Sequence, residues 1–486
     1  MGDKLHMVYT HSFYQQGSVL MENHNYTRIT PGLHTLTKKL ERNSVIDPEL
    51  YTKHDVKRGL RDINGHGVVA GLTNIADIHA YETIDGKSVP CDGHLYYRGY
   101  DMQELVRGFI EDNRFGFEEI TYLLLTGELP SPTRLALFKK DIDYMRPLPE
   151  GFVRDIMMEA PASDVMNGLA RSVLTLYTYD KRADDITLPN VMRQCMQLIS
   201  CFPAIVAFTY RVYDHYHNKN SLVLHDPPEG LSQAETLLYM IRPDKTYTEL
   251  EAKILDLCLI VHADHGGGNN SAFTTRVVTS TGTDTYSAIA SALCSLKGPK
   301  HGGANIKVRH MFNDMKTNVG DWKDDEEIAY YLSTLLDKKG FDRSGLIYGM
   351  GHAVYSKSDP RALILREFVR SLSKEKGRED ECDLYMKVEQ IAGQMIAEKR
   401  KIYKGVSANV DFYSGFIYDM LNIPEELYTP IFAVSRISGW CAHRLEELAQ
   451  NSRIIRPAYK GIAPRNEYIK LGDRRDFIFP PAHLHD

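Results

Sequence analysis

Helical periodicity dominates the succession of apolar and polar residues. From Asp284 to Leu296, the positions Ile289, Ala292, Leu293 and Leu296 fall on one face of a 3.6-residue repeat. Asp284 can cap the start of this helix, and Gly298-Pro299 stops its end. Thr429-Pro430 opens a second helix that runs to about Gln450, and Glu326 to Lys338 reads as a third. Asp359 reads as an N-cap and Pro360 as a first helical residue, with periodicity continuing through Ala362, Ile364, Leu365 and Phe368. The stretch Gln194 to Tyr210 is apolar and uncharged, contains Pro203, and falls short of the ~20 residues a bilayer span needs, so it predicts a buried helix or helix pair. Strand patterning is sparse: Gly67 to Ile78, then Val89 to Tyr97. Together these elements predict a mainly α protein with a small β element near the N-terminal third. His217 to Gly230 and the charged run Lys374 to Asp383 read as surface loops. The tail after Pro457 is expected to wrap over a surface or a partner subunit. No internal repeat is evident.

The bulk properties change this picture little. A chain of 486 residues, 43% hydrophobic and 25% charged, is ordinary for a globular enzyme of two or three domains. The net charge of −6, without a long basic run, argues against nucleic acid as a partner. Seven scattered cysteines with no C-x-x-C pair read as free thiols in a reducing compartment. Met1 to His6 has no apolar secretory core, so a cytoplasmic protein without a membrane anchor is expected.

Several short segments carry candidate chemistry. Arg361 falls in the first turn of its helix, where a cation costs about 0.3–1 kcal/mol. An anion shared by the guanidinium and the free N–H groups would relieve this. Pairing with Asp359 or a surface carboxylate would also do so, and the local sequence alone favours that simpler arrangement. Upstream, Gly349-Met350-Gly351-His352 adds a glycine-rich turn and a histidine. His262-Ala263-Asp264-His265 could ligate a metal or hold a polar substrate, or could simply be packed. His301, in Gly298 to Asn305, stands near a helix start, which favours a neutral imidazole able to donate to an oxyanion. Three glycines around it are hard to justify by packing alone. Asp411 lies among apolar neighbours that would raise its pKa and strengthen it as a base, although spacing favours a helix N-cap. Arg436 and Arg456 sit in apolar company, where an arginine usually meets an anion. Gly65 to Ala70 matches G-x-G-x-x-A, but a charged stretch precedes it and no clear helix follows, so it predicts a turn and not a dinucleotide site.

Five segments in order, HADHGGGNNS, GPKHGGAN, GMGHAVYSKSDPRA, NVDFYSG and AVSRISGWCAHRLEE, resemble those of the citrate synthase family in its si-type form. The resemblance implies a multi-helical two-domain fold, with residues 303–416 as the small domain and 1–302 and 417–486 as the large one. It implies an acyltransferase that condenses acetyl-CoA with oxaloacetate and hydrolyses citryl-CoA. Asp411 would be the base, with His301 and His352 as hydrogen-bond donors. His265, Arg361, Arg436 and Arg456 would hold oxaloacetate, Arg456 reaching into the partner's site across a homodimer. Gly349, Gly351, Lys357 and Lys404 are the candidate CoA contacts. No metal and no organic cofactor are implied. The chain departs from the family pattern at Gly266, where many relatives carry an acidic or amide residue, and at Ser356, where some carry a base facing CoA phosphate.

Three other readings compete: a 2-methylcitrate synthase taking propionyl-CoA, a metal-dependent hydrolase built on His262, Asp264 and His265, and a non-catalytic relative that binds acyl-CoA.

Overall fold

The computed structural model describes residues 29–62, 67–352, 354–401, 405–451 and 453–474. The chain divides into two units, 1–70 and 71–486. In the first, α1 (Pro31–Asn43) starts at Thr30, whose side chain accepts from Leu33 N–H. The fingerprint-like turn at Gly65 and His66 lies outside the described residues.

The second unit is mainly helical, with one small antiparallel sheet in the order β1 (Ala76–Ile84), β2 (Lys87–Tyr97), β3 (Tyr100–Asp101). The first strand begins nine residues later than the pattern Gly67 to Ile78 predicts. The cause is the turn. Asp85 and Gly86 both adopt positive φ, at 51° and 73°, which suits a two-residue hairpin and sets Ile84 opposite Lys87; a register shift between His79 and Tyr81 then puts Ala76 opposite Tyr97. Val68 instead donates its N–H to Leu60 O at 2.8 Å, and Val69 is exposed.

Its helices include α2 (Leu188–Asn218), α3 (Glu249–His262), α4 (Asn270–Thr279), α5 (Thr285–Lys297), α6 (Ala304–Asn318), α7 (Asp325–Leu336), α8 (Pro360–Glu375), α9 (Glu379–Arg400), α10 (Val410–Met420) and α11 (Tyr428–Ala449). The stretch around Pro203 is a single helix, α2. Among the described residues it alone is long and apolar enough to cross a membrane, and 83% of its most apolar window is buried inside the protein. It is a core helix. Asp284 caps α5 through Ser287 N–H, and Ile289, Ala292, Leu293 and Leu296 are all fully buried, as the periodicity requires. Helix α11 packs against α2, α3, α4 and α5. Surrounded in this way, it buries even Ser435, Arg436, Ser438, His443 and Arg444 completely.

Two expectations fail locally. Lys374 to Asp383 is not a loop: α8 ends at Glu375, α9 begins at Glu379, and Gly377 at φ +63° makes the turn. The charges complement the helix dipoles, with Lys374 in the last turn of α8 and Glu379, Asp380 and Glu381 in the first turn of α9. Asp411 is not an N-cap either. Asn409 caps α10 by accepting from Asp411 N–H, which puts Asp411 in the first turn of the helix, two residues past the cap.

Candidate active site

The C-terminus of α3 and the turn after it form one wall. His262 is buried, its Nδ1 donates to Cys258 O at 2.8 Å, and its ring meets Phe432 edge-on at 4.7 Å. Burial pushes its pKa down to about 3. Asp264 turns the other way, accepting from Gly266 N–H at 2.7 Å and lying 3.0 Å from His443 Nε2. His262, Asp264 and His265 therefore face different partners. Among the described residues no three His, Cys, Asp or Glu side chains are placed to hold a metal ion. His265 is buried, and among the described residues its Nε2 has no hydrogen-bond partner. Its ring meets His352 at 5.3 Å and Tyr355 at 5.8 Å, both edge-on. Burial, reinforced by the nearby charge of Arg361, holds its pKa well below the ordinary histidine value.

A second wall comes from the segment leading into α8. His352 accepts at Nδ1 from the backbone N–H groups of Val354 (3.0 Å) and Tyr355 (3.1 Å). The proton of the neutral ring is therefore on Nε2. Arg361 Nη2 lies 3.3 Å from that nitrogen, so two donors stand side by side. Arg361 also resolves its own helix-start problem. Its Nε (3.0 Å) and Nη2 (2.8 Å) grip both oxygens of the capping residue Asp359, and both side chains are buried. The simpler of the two arrangements expected for this arginine is present. Burial would raise the Asp359 carboxyl, but Arg361 brings it below its usual value.

Helix α10 and the His352 segment are sewn together. Asn409 N–H donates to Gly349 O (2.8 Å), Asn409 Nδ2 to Gly351 O (2.9 Å), and Gly351 N–H to Ser407 O (2.7 Å). Gly349 has φ +81°, and a Cβ there would lie 2.8 Å from the Phe412 ring. Backbone geometry and packing thus require this glycine, whatever it binds. Asp411 is half-buried beside the seam. Its pKa is raised to about 6 by burial, with Asp359 adding to the shift and Arg361 and Arg436 opposing it.

His301 and Arg436 complete the cluster. His301 lies in the turn before α6, half-buried, with Nε2 3.2 Å from Ser271 Oγ. Ser271 accepts from Trp440 Nε1 at 3.0 Å and is 3.0 Å from Asn269 Oδ1. Burial and then Arg436 lower the His301 pKa to about 4. Not all the glycines beside His301 speak of chemistry: a Cβ on Gly302 would lie 2.4 Å from Leu296 O, so packing alone demands that residue. Arg436 is fully buried. Its Nε donates to His262 O at 2.6 Å, its guanidinium lies 4.6 Å over the Phe432 ring, and among the described residues its Nη1 has no partner. Burial depresses its pKa to about 10. The charge of Arg436 acts on His265, His301 and Asp411, and that of Arg361 on His265 and Asp411. Five separate stretches of chain therefore meet in one electrostatic neighbourhood.

Arg456 is exposed on the extended segment after α11. Lys357 is exposed and Lys404 lies outside the described residues. Ser271, Tyr355, Phe432 and Trp440 were not singled out by residue type or spacing. The signal for Tyr355 was its position inside the segment shared by His352 and Arg361. For Trp440 it was one of the chain's two tryptophans, one turn after Arg436.

A family model described as "Citrate synthase, C-terminal domain" matches residues 64–458. A citrate synthase of Haloferax volcanii is 35% identical over 408 residues, 83% of this chain and 94% of that protein. A protein of Bacillus subtilis named citrate/2-methylcitrate synthase is 34% identical over 400 residues, 82% of this chain and 95% of that protein. Among solved structures, the ternary complex of Thermoplasma acidophilum citrate synthase with carboxymethyl coenzyme A and oxaloacetate aligns with a TM-score of 0.68 at 25% identity. That alignment covers 86% of this chain and 99% of that one.

Proposed function

This chain belongs to the citrate synthase family, and from that premise we propose that it condenses acetyl-CoA with oxaloacetate and hydrolyses citryl-CoA to citrate and CoA. The observation that carries this reading is a carboxyl raised to about 6 and an imidazole lowered to about 4 in the field of one buried arginine, Arg436. Asp411 is the base that takes a proton from the acetyl methyl. The electron pair of that C–H bond moves toward the thioester oxygen, where neutral His301 donates a hydrogen bond. His352 donates from Nε2 to the ketone oxygen of oxaloacetate, so the enol carbon attacks a polarised carbon and a C–C bond forms. A thioester α-proton is too weakly acidic for a carboxylate alone, and a single oxyanion donor in a dry site contributes about 2.7–4 kcal/mol. Water then cleaves the thioester and releases the CoA thiol.

Oxaloacetate is held by His265, Arg361 and Arg436, with Arg456 supplied by the second subunit of a homodimer. The unpartnered Nε2 of His265 and Nη1 of Arg436 support this, because buried polar atoms ordinarily have partners. Gly349, Gly351, Lys357 and Lys404 are the contacts this reading assigns to CoA. Residues 303–416 close as a small domain against the rest, excluding water and aligning the reacting carbons.

The 2-methylcitrate reading remains the alternative, favoured by the name of the Bacillus subtilis relative. One extra methylene is worth only ~1–3 kcal/mol of discrimination. The test is kcat/KM for acetyl-CoA and propionyl-CoA with oxaloacetate, followed by thiol release. The expected preference is for acetyl-CoA by about tenfold or more. A propionyl preference overturns the choice of acyl group, and no thiol release with either overturns the condensation itself.

A further inference from the structure

We infer that His443 is a positioning residue for oxaloacetate binding, acting through Asp264 on the turn that carries His265. The inference rests on the reading of His265 as an oxaloacetate contact.

The hydrogen bonds around His443 leave it one tautomer. Arg276 approaches its Nδ1 with two nitrogens, Nε at 3.1 Å and Nη2 at 2.9 Å. A guanidinium has no lone pair to offer, so Nδ1 must be the acceptor and the proton of the ring is on Nε2. Nε2 lies 3.0 Å from Asp264 Oδ1 and donates to it. The other oxygen of Asp264 accepts from Gly266 N–H at 2.7 Å. The carboxylate therefore spans residue 265, tied on one side to the turn and on the other to α11. Gly266 has φ +77°, which closes the turn directly after His265.

Behind His443 the network continues. Arg276 Nη1 donates to Glu447 at 2.9 Å, and Nη2 bonds to the Glu446 carboxylate and to Thr73 Oγ1 at 3.0 Å. Glu446 also accepts from the Thr73 hydroxyl and from Asn74 N–H, both at 2.7 Å. Asp264, His443, Arg276, Glu446 and Glu447 are all buried. Buried ionic networks of this kind are often no more stabilising than apolar side chains of similar volume, and their best-supported use is to specify a conformation. Here the conformation at stake is that of His265. Its ring packs edge-on against His352 and Tyr355, and among the described residues its Nε2 has no partner, so its aim depends on its own backbone.

The test compares three variants of the full-length protein. His443→Leu removes both the donor and the acceptor. His443→Asn keeps a group near Nδ1 but none near Nε2. His443→Gln puts an amide nitrogen near the position of Nε2. Leu and Asn are expected to raise the KM for oxaloacetate by about tenfold or more. The KM for the acyl-CoA and kcat should stay within about twofold, and Gln should recover most of the loss. The inference is overturned if oxaloacetate KM is unchanged in folded Leu and Asn variants. It is equally overturned if kcat and both KM values deteriorate together without rescue by Gln, which marks a merely structural role. If Leu does not fold, the contrast between Asn and Gln decides the matter. A wild-type protein that releases no thiol with oxaloacetate defeats the functional reading instead.

Discussion

Trp440 donates its indole N–H to the hydroxyl of Ser271 at 3.0 Å, joining the middle of the buried helix α11 to the start of α4. Ser271 has one proton of its own and two acceptors in reach, Asn269 Oδ1 and His301 Nε2. Given to His301, that proton leaves the imidazole's own proton on Nδ1, free to face a substrate oxygen.

Replacing Ser271 with Ala removes this control and leaves the Trp440 N–H buried without a partner, at a cost of about 1–3 kcal/mol. We expect kcat to fall by about tenfold or more while oxaloacetate KM changes little. Trp440→Phe, which takes away the donor as well, should recover stability in the double variant. Steady-state kinetics and thermal melts measure both effects, and an unchanged kcat in Ser271→Ala removes Ser271 from the site.

Arg361→Leu strands the carboxylate of Asp359, which is fully buried. Breaking a buried pair from one side costs about 3–5 kcal/mol. The variant should melt markedly lower, and adding Asp359→Asn should restore much of the loss. Oxaloacetate KM should rise far more than acyl-CoA KM and should not recover in the double variant. Equal losses for the two substrates would count against a carboxylate clamp.

The pH profile follows from Asp411. A base must be ionised to act, and this carboxyl has a pKa of about 6. Activity should therefore rise with pH through about 6 and then level off. His301, at about 4, is neutral over that whole window and adds no acid limb there. Asp411→Asn should lose about 10²–10⁴ in kcat. It should also stop deuterium exchange at the acetyl methyl in the presence of an oxaloacetate analogue, while analogue binding survives. Undiminished exchange would refute the assignment of the base.

The same carboxyl makes a stability prediction. Its folded pKa lies above its ordinary value of 3.8, so the folded state binds the proton more tightly than the unfolded chain does. Below about 3.8 both states are protonated and the site carries no penalty; as pH rises through about 6 the penalty becomes complete. Asp411→Asn should thus melt higher than the wild type near pH 7 and lose that advantage near pH 4. A gain that does not depend on pH would contradict the shift.

Local patterns foretold much of the fold. The cap at Asp284, the stop at Gly298-Pro299 and the start at Pro360 are short-range effects, and each is where spacing placed it. The failures were also local. An apolar run at Val68 and Val69 looked like a strand, but the Asp85-Gly86 hairpin governed pairing. Asp411 looked like a cap, but Asn409 two residues earlier competed for that position. The motifs around His265, His301, His352, Arg361, Asp411 and Arg436 were legible as chemistry. Their partners were not: Ser271 meets Trp440 across 169 residues, and Asp264 meets His443 across 179.

By itself the order of residues determined which segments coil into helices, where most of them begin and end, and which polar groups stand in apolar surroundings. Those are consequences of propensity, capping and periodicity within a few turns of chain. Only the packed structure decided which of those polar groups share a field, which carry the proton, and which are already spent on one another. Desolvation and Coulomb interactions depend on distance through the folded protein, and nothing in separation along the chain supplies that distance. The pairing of Arg361 with its own cap, the tautomers of His352 and His443, and the opposite shifts of Asp411 and His301 all belong to that second class.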